Sequence, residues 1–360
     1  MKFQLYSLLA ASLAMTSCKD QADESAQAPA AGEPKTFRYE MTNAYTVTVP
    51  EGAGSLKAWF AMPQRDESSQ KIEDFKIECP YPHEIVKDQF GNEFVRINLE
   101  NPPAGEFDLT ETFKVTRTEI KVDVDPAKVD ETADGVDGKY LEESAHIVIT
   151  PEIAAEARRV VGDEKNPVKA SRKLYDWTLA NIDYWVKDPA NKKSSGVGSS
   201  IYTFETKTGN CTDFHSLWVA MARSQGIPSR LVYGSIPKPT LDGKDTDQSY
   251  HCWPEFYAKG IGWIPHDVAV ADIYVDEFPL TDENKAGVEL TTALGYKGQD
   301  DKMVDYYFGN IDERRATWAR GRDHILEGAS APVDSLPKAH VEIDGEPASD
   351  WTRKLTYRSL

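Results

Sequence analysis

The hydrophobic period of this chain changes along its length, and that change restricts the fold more than any single motif. From Thr36 to about Asp125 apolar residues alternate: Tyr45, Val47 and Val49; Leu56, Ala58, Phe60 and Met62; Val95, Ile97 and Leu99; Phe107, Leu109, Phe113 and Val115. A period of two turns one face of a pleated strand to a core and the other to solvent. Turn-rich stretches such as EGAG and FGNE separate the runs, so this part reads as antiparallel strands packed in a sandwich. Beyond residue 145 the period becomes helical, at Ile153, Ala157, Val160 and Val161, then at Ala170, Leu174, Trp177 and Ile182. Thr150 followed by Pro151 is a helix start, a hydroxyl cap with proline at the first helical position. Strand candidates RLVYG, SYHCWPEFY and GWIPHDV come later. The fold class expected is α+β: an all-β sandwich over 36–125, an acidic linker over 126–144, a mixed core over 145–275, and a C-terminal extension over 276–360 whose further strands pack on that core.

The first residues, MKFQLYSLLAASLAMTSCKD, carry Lys2, an apolar run from Phe3 to Met15, and small residues before Cys18. This is the pattern of an export signal over 1–17, too short to span a bilayer comfortably. MTSC resembles a bacterial lipobox, with Met15 where leucine is usual, so Cys18 is expected to be acylated and to begin the mature chain. Residues 18–35 hold no aromatic or β-branched side chain and read as a flexible tether. The expected location is the exported bacterial cell envelope, lipid-anchored to a membrane and facing the periplasm or cell surface. A formal charge of -18 with no Lys/Arg cluster excludes nucleic acid as a partner. Asp130, Thr132, Asp134 and Gly135 look like half a calcium loop, but Leu141 stands where the bidentate glutamate belongs, so a solvated linker is expected.

In TGNCTDFHSLWVAMARSQG, residues 208–226, Phe214, Leu217, Trp218 and Met221 recur at the spacing of one buried helix face. Gly226 and Pro228 end that helix, and Cys211 stands at its start, where unpaired N–H groups and the macrodipole favour a thiolate. With Cys18 assigned to lipid, three cysteines are left, so at least one has no partner within the chain. Taken alone, Cys211 reads first as a small buried hydrophobe, the commonest fate of a free cysteine. In SYHCWPEFYAKGIGWIPHDV, Tyr257 and Ile261 can close a three-residue loop, a register that pairs 253 with 265 and 251 with 267. His251 and Asp267 would then be cross-strand neighbours, and an acid beside an imidazole fixes its tautomer and steadies its cation. Pro254 lacks a donor and suggests an edge strand or bulge. Cys211 and His215 at i, i+4, with His251 and Cys252, could suggest a metal. Adjacent strand residues point to opposite faces and no paired short Cys spacing exists, so no metal is expected and His215 reads as a core or helix-surface residue.

The order GNC, helix, GIPSR, then HCWPEFY, then GWIPHD resembles the core of the transglutaminase-like superfamily, strongest over about residues 145–270. The sandwich resembles the N-terminal β-domain of bacterial exported members, and YYFGNIDERR, GRDHIL and VEIDG resemble their tail. The resemblance implies a papain-like α+β fold with Cys211 as nucleophile, His251 as general base and acid, and Asp267 as the orienting acid. The Cys211 N–H is the natural first oxyanion donor. A side-chain donor would come from Trp185, Tyr184 or Asn210. The implied chemistry is attack on an amide carbonyl of a peptide or protein, through a thioester, with hydrolysis ahead of transglutamination and no cofactor. The alternative is a non-catalytic cell-envelope binding or scaffold protein of the same fold.

Overall fold

The computed structural model describes residues 32–360 apart from 66, 133 and 335–337. The export signal, Cys18 and nearly all of the tether lie outside the described residues. In chain order the strands β1 (Thr36–Val49), β2 (Ser55–Ala61), β3 (Gln70–Glu78), β4 (Glu84–Lys87), β5 (Glu93–Glu100), β6 (Gly105–Thr118) and β7 (Ile120–Lys121) come first. There follow α1 (Pro151–Val161), α2 (Pro167–Asn181), β8 (Asp183–Tyr184), α3 (Ser200–Thr206), β9 (Thr208–Gly209) and α4 (Cys211–Ser224). Next are β10 (Ser229–Ser235), β11 (Tyr250–Ala258), β12 (Gly262–Pro265), α5 (Val268–Ile273), α6 (Lys285–Thr291) and α7 (Asp301–Tyr306). The chain closes with β13 (Asn310–Ile311), β14 (Ala316–Arg320), β15 (Ala339–Ile343), β16 (Glu346–Ala348) and β17 (Trp351–Ser359).

Alternation in the first hundred residues does what the period dictates. Tyr39, Met41, Asn43, Tyr45, Val47 and Val49 of β1 are buried while the residues that alternate with them stay partly or fully exposed. Two sheets, ordered β17-β1-β6-β3 and β16-β15-β2-β5-β4, face each other across a core that includes Tyr45, Leu56, Phe60, Ile97, Leu109 and Val341. The expectation that the C-terminal strands pack on the mixed core is corrected here. β17 pairs with β1, Val47 opposite Trp351, and β15 pairs with β2, Ala58 opposite Val341. Alternation marks a segment as a strand but carries no address for its partner, and β1 and β2 each had an edge to fill. Of the extension's longer strands, β14 alone joins the core sheet.

The core sheet runs β12-β11-β10-β14, with α4 against it. The apolar face of α4 is buried as the spacing requires, but its polar face is buried too. Each polar group there has a partner: Ser216 Oγ bonds the Gly198 carbonyl, and the Arg223 guanidinium holds the carbonyls of Ser229 and Glu142. Buried polar groups persist when they are so satisfied. Gly226 adopts φ +77° and ends the helix as expected.

The β11–β12 hairpin is offset by two residues from the register read in the sequence. Ala258 pairs with Gly262, Tyr257 with Trp263 and Glu255 with Pro265, so the loop is Lys259-Gly260-Ile261. Both Gly260 (φ +86°) and Gly262 (φ +105°) take left-handed conformations, and a Cβ on Gly260 would lie 2.5 Å from the Lys128 carbonyl oxygen. An even shift leaves every side chain on its own face. Pro254 lies inside β11, in the interior of the sheet and not at an edge. Its carbonyl takes the His266 N–H at 3.0 Å where β12 ends, so the missing proline donor faces the last rung of the ladder.

Candidate active site

The start of α4 is built before the cysteine is considered. Asn210 caps the helix, its side chain accepting the N–H groups of Thr212 (3.0 Å) and Asp213 (3.1 Å), while Asp213 returns a bond to the Asn210 N–H at 3.0 Å. This reciprocal box fixes the first turn. Asp213 also takes the N–H groups of Ser195 and Ser199, which draws the loop 195–199 over the helix start. The approach is close enough that a Cβ on Gly198 would lie 2.3 Å from Thr212, and one on Gly209 2.3 Å from Asp213. β8 pairs in parallel with β9, Tyr184 beside Gly209, which brings the Tyr184 ring to the same spot. Cys211 is thus the first helical residue, 4% exposed.

His251 lies near the start of β11, and its Nε2 is 2.7 Å from Asp267 Oδ2. Asp267 is not a ladder partner of His251. It leaves the sheet after β12 and caps α5, its Oδ1 accepting the Val270 N–H at 3.1 Å. One carboxylate therefore caps a helix and orients an imidazole. Buried Arg315 sits 3.0 Å from Asp267 and 2.8 Å from Asp312. Burial alone would raise the Asp267 carboxyl, but His251 and Arg315 hold it well below the usual carboxylate range. Burial also opposes a charged imidazole, yet Asp267 and then Cys211 push His251 up to about 9. His251 also hydrogen-bonds Cys211; with Nε2 on the carboxylate, Nδ1 is left for the sulfur.

The hydrogen bond from Cys252, opposed by burial and joined by the charge and hydrogen bond of His251, brings the Cys211 thiol well below its ordinary value. Burial pushes Cys252 well above its own, so it stays a thiol. Cys79, Cys211 and Cys252 are all unpaired. The alternation rule placed His251 and Cys252 on opposite faces; both reach the Cys211 sulfur. The reason is position: His251 is one residue from the end of β11, beyond the β11–β12 pairing, and Cys252 lies between β11 and α4. His215 is a core residue whose Nδ1 is 3.5 Å from Cys252 Sγ. Sequence reading missed Arg315, Asp213 and the joint of His215 with Cys252.

Among the three side chains considered as oxyanion donors, Asn210 is held by its oxygen in the cap, which leaves its amide NH₂ to donate, and Trp185 is half-buried. The Tyr184 phenol is pushed well up by burial and next by the charge of Cys211, so it lies within electrostatic reach of the sulfur and keeps its proton. A cavity of about 330 Å³ lies beside the helix start, between Gly198, Asn210, Thr212 and Tyr250 on one side and Lys338 and Trp351 on the other; Cys211, His251 and Asp267 are not in its lining. A cavity of about 430 Å³ at the far end of α4, lined by Val161, Ile227, Pro228 and Tyr257, holds none of the three residues. Residues 239–245 form an exposed polar rim stitched to β17, with the N–H groups of Gly243 and Thr246 bonded to the Tyr357 and Leu355 carbonyls at 2.9 and 2.6 Å.

A cysteine heading a buried helix, packed on an antiparallel sheet that presents a histidine beside an acid, is the plan of the papain-like α+β cysteine-enzyme folds. Residues 154–268 match the model of the transglutaminase-like superfamily, and this segment is a transglutaminase-like domain preceded by a β-rich region. A protein of Haemophilus influenzae is 24% identical to this chain over 345 residues, 88% of each. One of Mycobacterium leprae is 28% identical over 131 residues, 36% of this chain and 44% of its own length. A solved structure from Cytophaga hutchinsonii, described as a "putative cysteine protease", shares the fold with a TM-score of 0.55 at 18% identity, over 91% of each chain.

Proposed function

We propose that this protein is a cysteine-dependent acyl-transfer enzyme that opens an amide bond of a peptide or protein through a thioester on Cys211. The observation that carries this reading is the arrangement at the start of α4: Cys211 hydrogen-bonded to His251, whose Nε2 lies 2.7 Å from Asp267, beside a 330 Å³ cleft lined by the helix neighbours Asn210 and Thr212. The sulfur attacks the carbonyl carbon, and His251 gives its proton to the departing amine. The emptied imidazole then takes a proton from water, whose oxygen attacks the thioester; the sulfur leaves as the thiolate and His251 keeps the proton, which restores the starting pair. The Cys211 N–H, with the Tyr184 hydroxyl as the side-chain donor, would hold the oxyanion. Cys18 is proposed as the lipid anchor.

Hydrolysis is favoured over transfer to an amine because the rim over residues 239–245 is exposed and polar, and a wet cleft favours water as acceptor. Acidic residues along that rim, Asp242 and Asp245, would attract a lysine side chain but keep it protonated and unreactive. An amide-containing peptide library incubated with excess dansyl-cadaverine tests the proposal. Free acid should outweigh the amine adduct, and both should vanish in Cys211→Ala. A dominant adduct would reverse the preference for water. If brief iodoacetamide treatment at neutral pH leaves Cys211 unlabelled, the enzyme reading gives way to the scaffold alternative.

A further inference from the structure

The triad leaves unexplained why a second thiol is buried beside the first. Cys252 and Cys211 meet over one hydroxyl: Thr212 Oγ1 is 3.5 Å from Cys252 Sγ and 3.9 Å from Cys211 Sγ. That hydroxyl is itself tied to the Tyr250 phenol at 2.8 Å. Behind Cys252 stands His215, fully buried. The Ala269 N–H points at His215 Nε2 from 3.3 Å, and a backbone N–H can only donate, so Nε2 carries a lone pair. Burial holds this imidazole neutral, pushing it down to about 4, so its one proton sits on Nδ1. Nδ1 lies 3.5 Å from Cys252 Sγ and therefore donates to that sulfur. A sulfur that accepts on one side has its own S–H to give on the other, toward Thr212 and Cys211.

We propose that Cys252 is a positioning residue for the reaction: neutral His215 turns the Cys252 thiol so that its S–H faces Thr212 Oγ1 and, beside it, Cys211, and so helps hold the nucleophilic sulfur as an anion. The inference rests on the reading of Cys211 as nucleophile. The donor chain runs from the Ala269 N–H to His215, from His215 to Cys252, and from Cys252 to Thr212 Oγ1 beside Cys211. It starts next to the His251–Asp267 arm, His215 Nε2 being 3.6 Å from Asp267 Oδ1, but does not pass through His251, which supplies and takes the proton. Other groups facing Cys211 are the Tyr184 and Tyr250 phenols, both pushed well above their ordinary range by burial first and so neutral. His251 is the cation, and Asp267 with Arg315 stands behind it. Cys252 is thus the neutral thiol donor on the Thr212 side of the sulfur.

The test is the pH dependence of alkylation of the Cys211 peptide, followed by mass spectrometry in wild type, Cys252→Ala, Cys252→Ser and His215→Phe. Losing a donor to a charged group should raise the midpoint in Cys252→Ala by about one pH unit, so the rate near pH 6 falls about tenfold. A more basic thiolate is intrinsically more nucleophilic, so the alkaline plateau should equal or exceed wild type by up to about threefold. Cys252→Ser, which keeps an O–H donor, should recover part of the shift. His215→Phe combined with Cys252→Ala should shift no further than Cys252→Ala alone. A purely packing role would lower Tm and leave the midpoint where it is. An unmoved midpoint in Cys252→Ala, or equal shifts for alanine and serine, overturns the proposal while the nucleophile reading stands. A wild-type Cys211 that alkylates only above pH 9 overturns both.

Discussion

At the residue scale, Asp267 carries three duties on two oxygens: it orients His251, caps α5 and faces Arg315. Substitutions should separate them. His251→Ala should lower turnover by about a thousandfold or more, since proton donor and acceptor go together. Asp267→Asn keeps an oxygen for the cap but no charge for the imidazolium, so some activity should survive, down at least about tenfold. The pH profile reads the same arrangement. His251 is raised to about 9, so the ion pair is present below that pH and is lost as pH rises through it. Without the carboxylate the His251 cation is less favoured, and in Asp267→Asn the alkaline limb of kcat/KM should move to lower pH. A limb that stays near 9, or wild-type turnover in His251→Ala, would end the triad hypothesis. Cys211, His251 and Asp267 were legible in sequence because a helix start, a strand and a turn are local features. Arg315, 48 residues beyond Asp267, and the joint of His215 with Cys252, 37 apart, were not, because tertiary packing alone makes them neighbours.

At the scale of elements, the same limit shows in the sheets. Strand positions followed from alternation, and the core helix from its spacing and its closing glycine. The hairpin loop was misplaced by one residue, which offsets the pairing by two, because Gly260 and Gly262 both take left-handed conformations and either could close the turn. A polar residue inside the sandwich was also passed over. Glu111 of β6 is fully buried; its Oε2 accepts from Asn43 at 2.7 Å, and its Oε1 has no partner among the described residues. Burial pushes it up to about 8 from an ordinary 4.5. A group raised on folding contributes its stability fully below the unfolded value and loses it as pH rises through the folded one. Glu111→Gln should therefore match wild type near pH 5 and exceed it by on the order of a few kcal/mol near pH 9. Thermal melts across that range check this, and a difference that does not grow with pH would refute it.

At the scale of the whole molecule, the proposed anchor and the proposed cleft impose a geometry on each other. A tether of residues 18–35 behaving as a random coil reaches about 25 Å, so an enzyme held by Cys18 would work on peptides close to the bilayer. Detergent-phase partitioning should take wild type into the detergent and leave Cys18→Ser in water; a wild-type protein found wholly in the aqueous phase would remove the anchor from the proposal.

The pairing of β1 with β17 joins Tyr39 to Ser359, nearly the full described length of the chain. Such a contact cannot form until residue 359 has been made, and until it does β1 offers an open edge from Tyr39 to Val47 to any passing strand. A late segment thus seals an early one, and β1 must wait, unpaired on that side, for a partner from the far end of the described residues.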